Sequence, residues 1–218
     1  MKKIFLLLLL FCAANLFAQT VVKNLDSWKF SRGNNESAST VDFNDAEWET
    51  VKVPHDWAIY GPFDKEIDKQ LVQIVQNNEK VASEKTGRTG SLPFIGVGWY
   101  RTRLSVSEFS EGKKAILAFD GAMSNAQVFV NGQRVGIWPY GYSYFYFDIT
   151  AYLKIQGVNT IAVRLENHPF SSRWYPGAGL YRKVQLIVKN NESFKQWAHF
   201  ITTPFVTDGL AKVNIRSQ

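Results

Sequence analysis

Asn131 and Gly132 separate two runs of strand-forming residues, Ala126-Gln127-Val128-Phe129-Val130 and Gln133-Arg134-Val135-Gly136. A two-residue type I′ turn needs positive φ at both central positions, which Asn and Gly adopt most readily, so the pattern predicts a tight β-hairpin. The flanking sequence agrees: short β-rich runs at 99–106, 115–119, 144–147, 160–165 and 183–188 are separated by turn signals. No amphipathic helical window persists through the second half. So many short strands fit two stacked sheets, an all-β sandwich. The one helical feature expected is a single turn at 149–153, just before Gly157-Val158-Asn159. The 16 Phe, 9 Tyr and 7 Trp supply flat apolar faces that fill a β core and also stack on sugars.

At the amino terminus, Lys2 and Lys3 precede an unbroken apolar run over 4–10 and a small-residue exit near Ala18, the pattern of a secretory signal peptide. The apolar stretch is too short to cross a hydrocarbon core of about 30 Å as a helix, and no later segment is long enough. Residues 1–18 are therefore expected to be cleaved, leaving a periplasmic or extracellular chain with no membrane span. Cys12, the single cysteine, falls inside that segment, so disulfides play no part. Phe11 stands where a lipoprotein signal needs a small residue, which argues against lipidation at Cys12. Loss of Lys2 and Lys3 lowers the formal charge from +6 to +4, and the remaining basic residues are scattered among acids. Nucleic-acid binding is unsupported.

The stretch 64–92 is polar, poor in β-branched runs and closes on Lys85-Thr86-Gly87-Arg88-Thr89-Gly90. It reads as a long insertion loop, and structureless loops beyond about 12–15 residues are often functional. Lys189-Asn190-Asn191-Glu192-Ser193 then breaks the β pattern, and strand-like residues resume at 198–202 and 211–215. The expected domains are a β-sandwich over 19–190 and the start of a second over 191–218. The latter segment is too short for a whole sandwich of about 100 residues.

Motifs for chemistry are sparse. His55, His168 and His199 are far apart, with no HExxH spacing or cysteine partner, so no metal site is predicted. No GxSxG elbow, P-loop or dinucleotide fingerprint occurs, and neither a cofactor nor a catalytic residue is assigned. Carboxylates are plentiful, but a glycosidase pair is defined by separation across a cleft. Three segments nevertheless exceed what a core requires. Val53-Pro54-His55-Asp56-Trp57 sets two polar side chains and a large aromatic behind a proline; its plain reading is a strand end with an Asp turn. Gly98-Trp99-Tyr100-Arg101 enters a strand from a glycine-rich loop; its plain reading is core aromatics and one surface arginine. Ser171-Ser172-Arg173-Trp174-Tyr175-Pro176-Gly177-Ala178-Gly179-Leu180-Tyr181-Arg182 is a glycine-rich loop whose arginine and aromatics either pack or bind. An interior loop must find partners for its backbone groups, so a rigid, shaped turn is predicted.

With Phe119-Asp120-Gly121-Ala122, Val130-Asn131-Gly132 and Gly141-Tyr142-Ser143, these segments occur in an order that resembles the amino-terminal sugar-binding domain of glycoside hydrolase family 2, the β-galactosidase and β-glucuronidase family. The resemblance runs from about Trp28 to Val188, and segments 53–57 and 171–182 are most similar to the β-galactosidase branch. It implies a jelly-roll-like (galactose-binding-like) β-sandwich, then an incomplete immunoglobulin-like sandwich. Beyond these it implies a TIM barrel carrying an acid/base glutamate and a nucleophile glutamate. Such enzymes cleave terminal β-glycosides with retention, using carboxyl groups about 5 Å apart.

On this resemblance the chain is an inactive fragment that shapes the pocket for a β-galactoside-like carbohydrate, its partner being the missing carboxy-terminal barrel. The implied substrate-binding residues are His55, Asp56, Trp57, Arg88, Ser172, Arg173 and Trp174. Ser172 stands where relatives can have an acid; a hydroxyl there donates or accepts a hydrogen bond but does not hold a cation as a carboxylate would. Competing readings are a free-standing carbohydrate-binding or adhesion module and a β-glucuronidase or β-mannosidase relative. Family relatives often assemble through such domains, so a homo-oligomer is compatible with the resemblance. The aromatics at 138–146 suit an interface, a sugar platform or core packing.

Overall fold

The computed structural model describes residues 20–72, 83–85, 90–171 and 176–217. The expected signal segment, Arg88, Ser172, Arg173 and Trp174 lie outside the described residues. The chain divides into a larger unit, Val21–Val188, and a smaller one that includes Lys189–Gln218.

The first twelve strands are β1 (Val21–Asn24), β2 (Ser27–Arg32), β3 (Glu49–Lys52), β4 (Gln70–Val72), β5 (Ser83–Lys85), β6 (Gly96–Leu104), β7 (Lys113–Phe119), β8 (Ala126–Val130), β9 (Gln133–Trp138), β10 (Phe145–Asp148), β11 (Asn159–Asn167) and β12 (Val184–Asn190). They form a four-stranded sheet in the order β1-β12-β7-β10 and a six-stranded sheet in the order β3-β2-β6-β11-β8-β9. Every pairing in the larger sheet is antiparallel. The predicted hairpin is β8–β9, with Val130 opposite Gln133 and positive φ at Asn131 (51°) and Gly132 (82°). Asn131 does more than turn the chain. Its side-chain amide donates to Tyr152 O and Asn159 Oδ1, each at 2.8 Å, and its Oδ1 accepts from Thr160 N. The expected helical turn is the 3-10 turn Thr150–Tyr152.

One core joins the two sheets. Leu117 and Phe119 of β7 and Leu186 of β12 meet Ile161, Val163 and Leu165 of β11 and Val128 and Val130 of β8. The two-residue alternation directs these side chains to one face. Burying each such side chain is worth about 1.5–3 kcal/mol. The long polar stretch expected as a loop contains the paired strands β4 and β5. Short strands escape pattern reading there because three residues are too few to display alternation.

The other face of the six-stranded sheet is covered by the segment between β2 and β3. Trp99 and Ala162 pack there with Ala38, Phe43 and Trp48. Arg101, expected at the surface, is instead fully buried beneath this cover. Its Nε donates to Asp45 Oδ2 at 2.8 Å, and its Nη1 donates to the carbonyls of Ala38 and Thr40. Arg103 Nη1 donates to both oxygens of Asp45, at 2.7 and 3.0 Å. A guanidinium is held in the interior because its donors find fixed acceptors.

The smaller unit contributes the antiparallel hairpin β13 (Phe200–Val206) and β14 (Ala211–Arg216). Its apolar side chains, among them Phe200, Ile201, Val213 and Ile215, are exposed. Among the described residues, no helix is long and apolar enough to cross a membrane.

Burial raises the Asp45 carboxyl, but Arg103 and Arg101 outweigh it and hold the group below its ordinary 3.8. A depressed carboxyl stabilises the fold above the unfolded value, and that contribution is lost as pH falls through the depressed one. Asp45→Ala, which leaves Arg101 buried without its counter-charge, should cost about 3–5 kcal/mol in urea unfolding at neutral pH. Wild type should lose stability relative to the variant only on acidification below pH 3.8.

Candidate functional site

At one end of the larger unit the segment before β12 runs between two others as a short extra strand. On one side His55 N donates to Leu180 O and Trp57 N to Ala178 O, both at 2.9 Å. On the other, Met123 and Gly179 exchange both backbone bonds, at 2.9 and 3.0 Å. The backbone of this glycine-rich loop thus finds the partners its burial demands, and Ala178 and Leu180 are fully buried. Gly179 has φ of +128°, and a Cβ there would collide with the His55 carbonyl and the Tyr100 hydroxyl. Only glycine meets both conditions.

Asp56 locks the arrangement. Its Oδ1 accepts from Ala58 N at 2.8 Å, capping the 3-10 turn Trp57–Tyr60, and from Ala178 N at 3.0 Å. One carboxylate oxygen therefore joins two chain segments. Trp57 is buried and stacks on Phe30 with ring centroids 5.6 Å apart. Its ring fills the space over Gly98, where a Cβ would lie 2.5 Å from it. His55 is half-buried, and its Nδ1 lies 2.7 Å from the Tyr100 hydroxyl. Burial raises the Tyr100 phenol well above 10, only partly offset by the Leu180 amide that donates to it. The phenol keeps its proton, and one hydrogen bond joins it to His55 Nδ1, its direction set by the imidazole tautomer. Burial lowers the His55 imidazole below 6.5, against the opposing charges of Glu49 and Asp56.

Beside this clamp lies a cleft of about 230 Å³. Phe94, Met123, Tyr140 and Tyr142 give it apolar walls, while Ser124, Asn125, Asn167 and Ser171 line it with neutral polar groups. The Tyr140 and Tyr142 rings meet at 5.5 Å, and Tyr140 is 59% exposed. Pro176 and Gly177, which lead into the clamped strand, complete the wall. The volume falls below the roughly 300–1,000 Å³ of an enclosing ligand pocket, so the cleft offers a wall rather than a container.

None of the three described residues predicted for binding lines this cleft. His55, Asp56 and Trp57 stand behind it, gripping the strand whose approach forms its wall. Tyr140 and Tyr142 fall in the aromatic stretch 138–146 read as an interface, a sugar platform or core packing, whereas sequence reasoning missed Ser124, Asn125 and Asn167. Asn167 carried a signal: it shares the parity of Ile161, Val163 and Leu165, so a polar group occupies a core-phase position. Among the described residues no cluster of His, Cys, Asp or Glu could hold a metal ion.

The family model for glycosyl hydrolases family 2, sugar binding domain, matches residues 22–190. The chain belongs to glycoside hydrolase family 2. It is 38% identical over 189 residues to the β-galactosidase BoGH2A of Bacteroides ovatus, a match covering 86% of this chain and 20% of that protein. The crystal structure of a family 2 member from Bacteroides cellulosilyticus superposes with a TM-score of 0.76 at 32% identity, over 90% of this chain and 24% of that one. A Bacteroides uniformis β-glucuronidase superposes at 0.72 with 28% identity, over 91% and 22%. The chain thus spans about a fifth to a quarter of the length of these family 2 proteins.

Removing the Asp56 acceptor strands two buried amides. Asp56→Ala should lose about 1–3 kcal/mol in urea unfolding. Asp56→Asn, which keeps a carbonyl oxygen in place, should lose clearly less.

Proposed function

We propose that this chain forms the substrate-contacting wall of an exported family 2 glycoside hydrolase of the β-galactosidase type. The observation that carries the reading is the cleft, with the exposed Tyr140 ring beside Tyr142 and neutral amide and hydroxyl groups at its floor. A pyranose presents an apolar C–H face and a ring of hydroxyls. The aromatic wall suits the first, and Asn125 and Ser171 suit the second. No aspartate or glutamate is among the cleft's described lining residues, so the chain's part is to bind and orient the sugar. Hydrolysis then rests on two glutamates of a barrel domain, which retain configuration through a glycosyl-enzyme intermediate. Arg88, Ser172, Arg173 and Trp174 are assigned to sugar contact on the family resemblance, while His55, Asp56 and Trp57 act through the strand they hold.

The β-galactosidase assignment is supported by the 38% identity to the Bacteroides ovatus enzyme. The fold likeness to a β-glucuronidase favours a second reading, in which the substrate carries a carboxylate. Export is supported by Lys2, Lys3 and the apolar run that follows.

The purified chain should give no turnover of a chromogenic β-galactoside. In NMR titrations, methyl β-galactoside should shift the signals of Tyr140, Tyr142 and Asn125 more than methyl β-glucuronide does. Tyr140→Ala should weaken that binding about threefold to tenfold, the worth of one stacking contact. Hydrolysis by the chain alone, abolished by changing one carboxylate, would sink the wall assignment; a preference for the glucuronide selects the second reading. For export, amino-terminal sequencing of the processed protein should begin at Gln19, and a retained Met1 would refute cleavage.

A further inference from the structure

We propose that Asn167 is a positioning residue that sets the spacing between the walls of the cleft. This rests on the reading of the cleft as a sugar site. Asn167 ends β11 and is 4% exposed. Its Nδ2 donates to Phe94 O at 3.0 Å and to Gly177 O at 3.2 Å, and its Oδ1 lies 2.6 Å from Ser124 Oγ. Phe94, Ser124 and Gly177 come from three separate segments, and each lines the cleft.

The orientation of the carboxamide follows from its partners. Backbone carbonyls only accept, so the nitrogen must face Phe94 and Gly177 and the oxygen must face Ser124. Ser124 has one hydroxyl hydrogen and two acceptors within reach, Asn167 Oδ1 at 2.6 Å and Glu166 O at 3.0 Å. The shorter contact assigns the hydrogen to Asn167. Asn125 Nδ2 then donates to Ser124 Oγ at 3.2 Å and to Glu166 O at 2.8 Å. A single polar chain runs from Asn125 through Ser124 to Asn167 and ends on two opposing walls. Groups that recognise hydroxyls need placement to within roughly 0.5 Å, and this network supplies it. Asn167 acts through the walls it holds.

Asn167→Asp preserves shape while replacing the two donors by an acceptor facing two carbonyls. The full 218-residue chain is titrated with methyl β-galactoside by NMR at pH 7, well below its melting temperature. Asn167→Asp should raise Kd at least tenfold and shift the signals of Phe94 and Gly177, leaving the core Val163 signal in place. Acidification returns a proton and one donor to the introduced carboxyl, so the variant's affinity should recover as pH falls while wild type stays flat. Ser124→Ala, which removes only the hydroxyl, should raise Kd about threefold and serves as the test if Asn167→Asp does not fold. Unchanged Kd in the folded variants, with only the melting temperature lowered, would overturn the proposal and leave Asn167 a structural tie. Wild-type protein that shifts with neither the galactoside nor the glucuronide refutes the sugar-site reading itself, and the positioning role with it.

Discussion

One oxygen of the Asp56 carboxylate receives two buried amides, from Ala58 and Ala178, and the end of the sandwich is organised around that convergence. An amide left without an acceptor in the interior costs far more than its hydrogen bond returns when made. Segments far apart in the chain are therefore obliged to meet there. Once they meet, the strand carrying Ala178 and Leu180 has partners on both sides, and the cleft wall at Pro176 and Gly177 has a fixed root. Gly179 completes the fit through the side chain it lacks.

The larger unit uses buried polar groups in two ways. On the outer face of the six-stranded sheet, Asp45 binds Arg101 and Arg103 and fastens the segment between β2 and β3 over Trp99 and Ala162. Water is displaced from Arg101 and Asp45, which strengthens their attraction, while Arg103 reaches the same carboxylate from the exposed side. Near the cleft the groups are neutral: buried Asn167 and half-buried Ser124 and Asn125 share hydrogens in a chain. Neutral groups hold position at a smaller desolvation cost, which leaves an adjacent surface free for polar recognition.

Local rules made much of the fold legible. Asn131-Gly132 specified its turn because φ preference resides in those two residues, and the β-rich run 160–165 marked the strand β11. Burial of polar residues followed a different logic. Arg101 read as a surface residue because its cover, from Ala38 to Asp45, lies more than fifty positions earlier in the chain. Asp56 and Trp57 read either as groups presented to a ligand or as a strand end with an Asp turn; the turn is present, but their composition gave no sign of the Ala178 amide or the space above Gly98 that they fill. Asn167 was the exception, its parity within an otherwise apolar strand marking a polar group turned inward.

The contact between Trp57 and Gly98 ties the volumes of two sequence positions together. The indole occupies the room that a side chain at 98 would need, so neither position is free to change alone. Across relatives the two should therefore drift as a pair, a larger residue at 98 accompanying a smaller one at 57. The shape of the support behind the cleft is thus inherited as a joint property of a 3-10 turn and the start of β6, and swapping either segment between relatives transfers half of a matched set.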